Sequence, residues 1–216
     1  VKTAFMKSMK HEIRTPLNGI MGFSQLLSSM YTADEQAHQM TEVIEKQSML
    51  LAKIIDDILE IADADTVKPK IENCAIDEIV ESSMATARQV VNADVAFAYK
   101  PFSTGVVIST DSHILQTILV KVLDNAAKFT KQGSITVLTK QIEHGISFIV
   151  EDTGSGIPAD KTETVFDQFT KLDEFSQGTG MGLTLCRTII LKLNGRIYVD
   201  TSYSGGCRMV IEIPQQ

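Results

Sequence analysis

Apolar residues in the first third of the chain follow two helical patterns. From Met40 they recur at alternating spacings of four and three residues, a heptad pattern that Gln47 interrupts once. An earlier stripe has helical spacing too, and a polar, turn-prone stretch at 28–34 separates the two. The heptad positions are Met40, Ile44, Gln47, Leu51, Ile54, Ile58 and Ile61, and the earlier stripe comprises Met6, Met9, Ile13, Leu17, Ile20 and Leu27. The pattern predicts two long helices joined as an antiparallel hairpin.

Such a hairpin covers only part of its own apolar surface. A second copy of the chain would cover the remainder by closing a four-helix bundle, and we therefore predict a homodimer. The heptad pattern stops between 63 and 70, where Pro69 is incompatible with a continuing helix. We accordingly predict a dimerisation domain at 1–66 and a second domain at 67–216.

The remainder of the chain mixes helical and strand patterns. The predicted helices are Ile76–Val91, Ser112–Phe129 and Met181–Leu193, the last with a stop at Asn194-Gly195. The predicted strands are Val95–Tyr99, Val106–Ser109, Ile135–Gln141, Ile146–Glu151, Arg196–Thr201 and Cys207–Ile213. Helices packed on one face of a mixed sheet give an α+β sandwich.

Composition narrows the classes of function. Hydrophobic residues make up 44% of the chain and charged residues 22%, and no apolar run approaches the roughly 18 residues of a membrane span. A net charge of −7 disfavours nucleic acid binding, which needs clustered positive charge. Three cysteines without a CxxC pair fit reduced thiols better than a disulfide or a metal site. We expect a soluble cytoplasmic segment that makes no membrane contact itself, in a full-length protein that is either soluble or membrane-anchored.

Two glycine clusters suggest a site for phosphate groups. They lie at 152–156, Asp-Thr-Gly-Ser-Gly, and at 178–182, Gly-Thr-Gly-Met-Gly. Glycine lets the backbone approach an anion, and a helix that starts at such a turn offers unpaired N–H groups and a favourable dipole. The first cluster opens no long helix, which excludes a Rossmann turn, and the chain has no P-loop motif. The alternatives are a nucleotide cavity and a pair of ordinary turns.

Three polar residues near these clusters have chemistry that suits a nucleotide. Asp152, at the end of an apolar strand, can accept a hydrogen bond from the exocyclic amine of adenine, although an aspartate before glycine is also a common turn residue. Asn125 and Lys128 are three residues apart and share a helix face. An amide oxygen can bind Mg²⁺ and a lysine can contact a phosphate, whereas a solvated helix face is the alternative.

Five motifs together resemble those of the histidine kinases of two-component systems, over nearly the whole chain. They are FMKSMKHEIRTPL at 5–17, DNAAKFT at 124–130, DTGSGIP at 152–158, VFDQF at 165–169 and GTGMGL at 178–183. In order and spacing they are similar to the family's phospho-acceptor, asparagine, first glycine, phenylalanine and second glycine motifs. The resemblance implies a gyrase-type ATP-binding α+β sandwich that follows a dimeric, phospho-acceptor helical hairpin.

For catalysis, the resemblance implies that His11 accepts the γ-phosphoryl group of ATP and passes it to an aspartate in the receiver domain of a response regulator. A histidine with a reference pKa of about 6.5 keeps a lone pair for this attack near neutral pH. Glu12 is the candidate general base, and Thr15 is where the family positions water to dephosphorylate the regulator. Lys128 and Lys171 are expected to offset charge on the transferring group.

For the nucleotide, the resemblance implies ATP together with Mg²⁺. The backbone of the second glycine motif would hold the polyphosphate, and Asn125 would bind the metal. The predicted nucleotide-binding residues are Asn125, Lys128, Phe129, Asp152, Gly154, Gly156, Ile157, Lys171, Gly178, Thr179, Gly180, Met181, Gly182 and Leu183. Of these, Phe129, Ile157 and Leu183 either line the base pocket or belong to the core.

One position departs from the family's pattern. The family usually has a second asparagine four residues before Asn125, where this chain has Lys121, and a protonated lysine cannot bind a metal. Lys121 either contacts a phosphate instead or extends into solvent. Three hypotheses therefore stand beside one another: an autophosphorylating kinase, which is the main one; an ATP-binding relative that is phosphatase-dominant or catalytically weak; and a binding or dimerisation module with nucleotide as a ligand only.

Overall fold

A computed structural model describes residues 17–30, 35–64, 66–170 and 179–215 of the chain. The chain divides into two compact units, Val1–Thr66 and Val67–Gln216. The helices are α1 (17–30), α2 (Glu35–Ala64), α3 (Ile76–Ala87), α4 (Ser112–Phe129) and α5 (Gly182–Ile190). The strands are β1 (Glu72–Ala75), β2 (Val95–Lys100), β3 (Val107–Thr110), β4 (Gly133–Ile142), β5 (Gly145–Asp152), β6 (Arg196–Val199) and β7 (Cys207–Pro214). Within these ranges no helix has the length and apolar character needed to cross a membrane.

In the first unit, α1 and α2 meet along small polar side chains. The hydroxyl of Ser24 donates to the carbonyl oxygen of Thr41 at 3.0 Å, and both residues are buried. Ser48, one heptad after Thr41, is also buried. Large apolar side chains of the predicted heptad instead remain exposed, namely Met40, Ile44, Leu51 and Ile58. Ile54 and Ile61 are half-buried, so only part of the apolar seam of α2 remains exposed.

The second unit contains a five-stranded sheet in the order β2-β4-β5-β7-β6. β2 is parallel to β4, and the other neighbouring strands are antiparallel. In β5 the alternate residues Ile146, Phe148, Val150 and Asp152 are buried on one face. β1 and β3 form a separate antiparallel pair, and β1 is a strand that the sequence pattern did not predict. This mixed sheet with its helices confirms the predicted α+β class.

Helix α4 has the bounds that the sequence pattern predicted. Its buried stripe runs from Ile114 to Ala126. The carboxylate of Asp111 accepts hydrogen bonds from the backbone N–H of Ile114 at 3.0 Å and from that of Lys70 at 2.7 Å. Asp111 therefore caps the helix and also fixes the segment that enters the unit.

The helix predicted at 181–193 consists of two parts. The α-helical part is α5, and a 3₁₀ turn, Leu191–Leu193, follows it. The chain then leaves the helix at Asn194, which has the left-handed conformation with φ of 53°. The predicted stop is correct, and Asn194 rather than Gly195 adopts the left-handed conformation there.

Candidate active site

Asp152 is a buried carboxylate at the end of the central strand β5. Only 5% of its surface is exposed, and its Oδ1 accepts hydrogen bonds from the backbone N–H of Gly154 at 2.9 Å and of Cys207 at 3.3 Å. Burial raises the pKa of Asp152, and the two backbone donors act in the opposite direction. An ionised carboxylate has more acceptor positions than these two bonds use, so the side chain can still accept from a ligand.

The first glycine turn lies directly against the end of α4. A Cβ atom at Gly154 would be 2.4 Å from the carbonyl oxygen of Phe129, which is closer than any side chain allows. A larger residue here would push Asp152 away from the helix. The glycine therefore brings the buried carboxylate beside the last turn of α4.

Helix α5 begins at the second glycine turn, which lies against the middle of α4. Gly180 has φ of 73°, and a Cβ atom there would be 2.8 Å from the carbonyl oxygen of Thr170. The side chain of Met181, the cap of α5, accepts no hydrogen bond from the helix, and the backbone N–H of Met181 donates to the hydroxyl of Thr179 at 3.4 Å. A Cβ atom at Gly182 would be 4.0 Å from Cδ of Lys121, in the middle of α4. Both glycine turns thus reach the same helix.

One face of α4 joins the two turns. Lys121, Asn125 and Lys128 are spaced by four and three residues, so they share that face. Asn125 is half-buried and Lys128 is exposed. The structure therefore brings together the asparagine motif, the buried Asp152 and both glycine turns. Among the residues that the structure describes, no group of three or more His, Cys, Asp or Glu side chains could hold a metal ion.

The opposite face of the sheet carries an ion-pair cluster that fixes the β6–β7 connection. Arg208 donates from Nε to Glu151 at 2.8 Å and from Nη1 to Asp200 at 2.9 Å. Its guanidinium carbon lies 4.4 Å from the centre of the Tyr203 ring. Glu151 on β5 pairs with Arg208 on β7, and the next pair along these two strands is Asp152 with Cys207. The cluster therefore supports the backbone N–H that Cys207 presents to Asp152.

Cys207 and Arg208 support the site, but neither was predicted from the sequence. Their relation to Asp152 depends on the register between β5 and β7, which pairs residues 55 positions apart. The alternating pattern of β7 predicts a strand but contains no information about its partner. A signal for this contact was therefore absent from the local sequence.

Several predicted site residues lie outside the described ranges. These are His11, Glu12, Thr15, Lys171 and Gly178. Among those inside, Thr179 and Met181 are buried. The other candidates for the base pocket are all half-buried, namely Phe129, Ile157 and Leu183. Whether these three side chains line a base pocket or belong to the core stays a prediction.

Comparison with known proteins gives the family. The model of the His Kinase A (phospho-acceptor) domain matches residues 1–67, and that of the histidine kinase-, DNA gyrase B- and HSP90-like ATPases matches residues 110–216. The autoinducer 2 sensor kinase/phosphatase LuxQ of Vibrio cholerae is 31% identical over 233 aligned positions, which cover 99% of this chain and 26% of LuxQ. The chain belongs to the two-component histidine kinases. It corresponds to their catalytic core, and it spans about a quarter of the length of LuxQ.

Solved structures share the fold of this histidine kinase core. Full-length ShkA in complex with AMPPNP superposes with a TM-score of 0.74 at 24% identity, covering 100% of this chain and 46% of ShkA. The histidine kinase ThkA in complex with the response regulator protein TrrA gives a TM-score of 0.71 at 20% identity, covering 99% of this chain and 61% of ThkA. At these identities the two structures establish the fold.

Proposed function

We propose that this histidine kinase core binds ATP with Mg²⁺, transfers the γ-phosphoryl group to His11 and passes it to an aspartate in the receiver domain of a response regulator. The observation that carries the proposal is the convergence of both glycine turns on α4. Gly154 lies at the carbonyl oxygen of Phe129, and Gly182 lies beside Lys121. A buried acceptor at one turn and a helix start at the other suit the adenine and the polyphosphate of one nucleotide.

Asp152 would select the base. Its Oδ1 is engaged by the backbone N–H groups of Gly154 and Cys207, so the carboxylate is held in one orientation. The exocyclic amine of adenine is a donor that this carboxylate can accept. Guanine has a carbonyl oxygen at the equivalent position, and two acceptors would then face each other without a proton.

The start of α5 and the polar face of α4 would hold the phosphates and the metal. The backbone N–H groups at Gly180, Met181 and Gly182 would bind the polyphosphate, and Lys128 and Lys171 would add positive charge. Asn125 would be the protein's metal ligand. One amide oxygen fits Mg²⁺, because this ion usually keeps several waters and binds substrate phosphates rather than an all-protein cage. When bound, Mg²⁺ would offset negative charge on the phosphates.

In the transfer step, the neutral imidazole of His11 would attack the γ-phosphorus. The new N–P bond forms while the bond between that phosphorus and the bridging β–γ oxygen breaks, so ADP leaves. Glu12 would orient the ring and take the proton from its other nitrogen. Thr15 would orient water for dephosphorylation of the regulator. LuxQ is named a sensor kinase/phosphatase, which favours such a second activity, including a phosphatase-dominant balance, as the second candidate.

Two copies of the chain would make up the working unit. The exposed apolar side chains of α1 and α2 include Phe23, Met30, Met40 and Leu51, and pairing of two such hairpins would cover them. The ThkA–TrrA complex supports a response regulator as a further partner. We place this segment in the cytoplasm, where reduced thiols such as those of its free cysteines are normal.

Labelling with γ-³²P-ATP and Mg²⁺ tests the proposal. We expect label that is stable in base and labile in acid on the unchanged chain, and none on His11→Gln. The matched control is His144→Gln, because His144 is an exposed histidine in the turn between β4 and β5. Tight AMPPNP binding without any label would contradict the kinase proposal and support a nucleotide-binding module.

A further inference from the structure

Lys121 occupies an unusual place beside the second glycine turn. It lies in the middle of α4, one helical turn before Asn125, and is half-buried. Its Cδ is 4.0 Å from the position that a Cβ atom on Gly182 would take. The ammonium group is only two bonds beyond Cδ. The stem of Lys121 therefore runs along the turn at which α5 begins.

The start of α5 and two lysines of α4 suit a negatively charged ligand. Gly182 is the first residue of α5; the side chain of its cap, Met181, accepts no hydrogen bond from the helix, and the N–H of Met181 donates to the hydroxyl of Thr179 at 3.4 Å. The N-terminal end of a helix carries a partial positive charge, and a lysine beside it increases the potential further. Lys128 lies on the same face of α4, seven residues along. Two lysines and a helix start thus frame Asn125.

Lysine and asparagine at such a position bind phosphate in different ways. An asparagine oxygen can bind a metal ion, which then binds the phosphates. A lysine ammonium binds phosphate oxygens directly, and it repels a divalent cation from its own position. Replacement of one by the other exchanges a metal-mediated contact for a direct one.

We propose that Lys121 is a polyphosphate-binding residue of this histidine kinase core, and that it makes nucleotide binding less dependent on Mg²⁺. This inference rests on the proposed function, since it assigns a ligand to the same site. The ammonium of Lys121 carries its own positive charge, whereas a second metal-binding asparagine would bring positive charge only through Mg²⁺. Of the two side chains at positions 121 and 125, only Asn125 then binds the metal.

Titration calorimetry with AMPPNP tests the inference without relying on catalysis. The dissociation constant is measured in Mg²⁺ and in EDTA for the unchanged chain and for Lys121→Met, Lys121→Asn and Lys121→Arg. Lys140→Met is the matched control. Lys140 is exposed on β4 and lies five residues after Ile135, the residue that pairs with Asp152. Thermal unfolding of each variant without nucleotide shows whether it is folded.

In EDTA we expect Lys121→Met and Lys121→Asn to bind AMPPNP about tenfold more weakly than the unchanged chain, as for loss of a charged hydrogen bond. Mg²⁺ should restore Lys121→Asn but not Lys121→Met, because only asparagine offers a metal ligand. Lys121→Arg should retain most of the affinity in EDTA. A general loss of packing would not change the ratio of the two dissociation constants.

Two outcomes would overturn the inference. If the unchanged chain binds AMPPNP and the Met and Asn variants bind it equally well in EDTA, the side chain has no phosphate contact, and the proposed function stands alone. If the unchanged chain does not bind AMPPNP in either buffer, the proposed function fails and this inference fails with it.

Discussion

The two units of the chain differ in how much of their apolar side-chain surface they bury. In the second unit a core of large side chains is fully enclosed, as Leu119, Phe148 and Ile211 show with no exposed surface. In the first unit Leu17 and Leu59 are buried, but many other large side chains are exposed, among them Phe23 at 71% and Met40 at 68%. The second unit therefore has a complete core of its own, whereas the helical unit has an apolar surface that its own residues leave uncovered.

The contact between α1 and α2 explains this difference. Small polar residues such as Ser24, Thr41 and Ser48 are buried there, so the helices can approach closely without burying much apolar area. Apolar burial is the main favourable term in folding and association, at roughly 25 cal/mol for each Å². The helical unit thus leaves apolar area uncovered, which the proposed pairing with a second copy would bury, whereas the sandwich unit buries its apolar area internally.

A charge on the apolar seam should give the largest effect. Leu51→Lys changes an exposed heptad position of α2. Each dimer loses two buried leucines and acquires two lysines at the interface, so we expect dimer dissociation to become at least about a hundredfold easier. Sedimentation equilibrium measures it. AMPPNP affinity should be unchanged, because the nucleotide site belongs to the other unit.

Val90→Lys is the matched control for that change. Val90 is 62% exposed but belongs to the second unit, so the dimer should persist. If Leu51→Lys left the dimer intact, or if both variants dissociated it equally, the contrast between the two units would be wrong.

A methyl group at the second glycine turn should weaken nucleotide binding strongly. In Gly180→Ala the new Cβ would be 2.8 Å from the backbone of Phe169 and Thr170, in addition to the cost of a positive φ. We expect AMPPNP affinity to fall about thirtyfold, equivalent to about 2 kcal/mol. Calorimetry measures the affinity, and the dimer should be unaffected.

Gly105→Ala separates backbone strain from the clash. Gly105 has a similar φ of 71°, but no atom lies within 4 Å of its missing Cβ. This variant should lose some stability and retain its AMPPNP affinity. Equal losses of affinity at both positions would show that strain alone, rather than the shape of the second turn, is responsible.

Removal of the Asp152 charge should reduce base selectivity. In Asp152→Asn, an amide replaces the carboxylate that accepts from Gly154 and Cys207. We expect ATP affinity to fall about tenfold and the preference for ATP over GTP to fall with it, since a buried charged acceptor is lost. Competition binding gives both values. An unchanged preference would mean that another group reads the base.

The smallest effect should come from a change in the ion-pair cluster of Glu151, Asp200 and Arg208, on the face of the sheet opposite Asp152. Hydrogen bonds from Ser202 and Arg208 lower the pKa of Asp200 to about 2, from an ordinary value of 3.8. A lowered folded-state pKa gives stability that is present above 3.8 and is lost as pH falls through about 2. At pH 7, Asp200→Asn should cost about 1 kcal/mol of unfolding free energy after allowance for solvent screening.

Urea unfolding of this variant across pH provides the check. The difference from the unchanged chain should shrink as the pH is lowered from about 5 towards 2. Asp94→Asn, at an exposed loop position, serves as the control. A difference that did not change with pH would mean that Asp200 acts through packing rather than through its charge.

Local features of the fold could be predicted from the sequence, and features set by distant pairing could not. Helix α4 follows its pattern because its stripe and its Asp111 cap are both local. β1 has only four residues and is defined by its partner β3, so its pattern was too short to predict. The contact of Cys207 with Asp152 depends on strand register, and that of Lys121 with Gly182 depends on how α5 packs on α4.

In the candidate site, too, some features could be predicted from the sequence and others could not. Glycines, Asp152 and Asn125 were identified because their residue types and spacing indicate their chemistry. The buried state of Asp152 and the two backbone donors that hold it became visible only in three dimensions.

The central claim is that the nucleotide held between the two glycine turns delivers its γ-phosphoryl group to the helical unit. Mass spectrometry of the chain after incubation with ATP and Mg²⁺, at a pH that preserves phosphohistidine, tests it most directly. We predict one phosphoryl group, on the imidazole of His11, and none when Asp152→Asn and Gly180→Ala are combined. A phosphoryl group on another residue, or an unmodified chain that nevertheless binds ATP, would contradict the account.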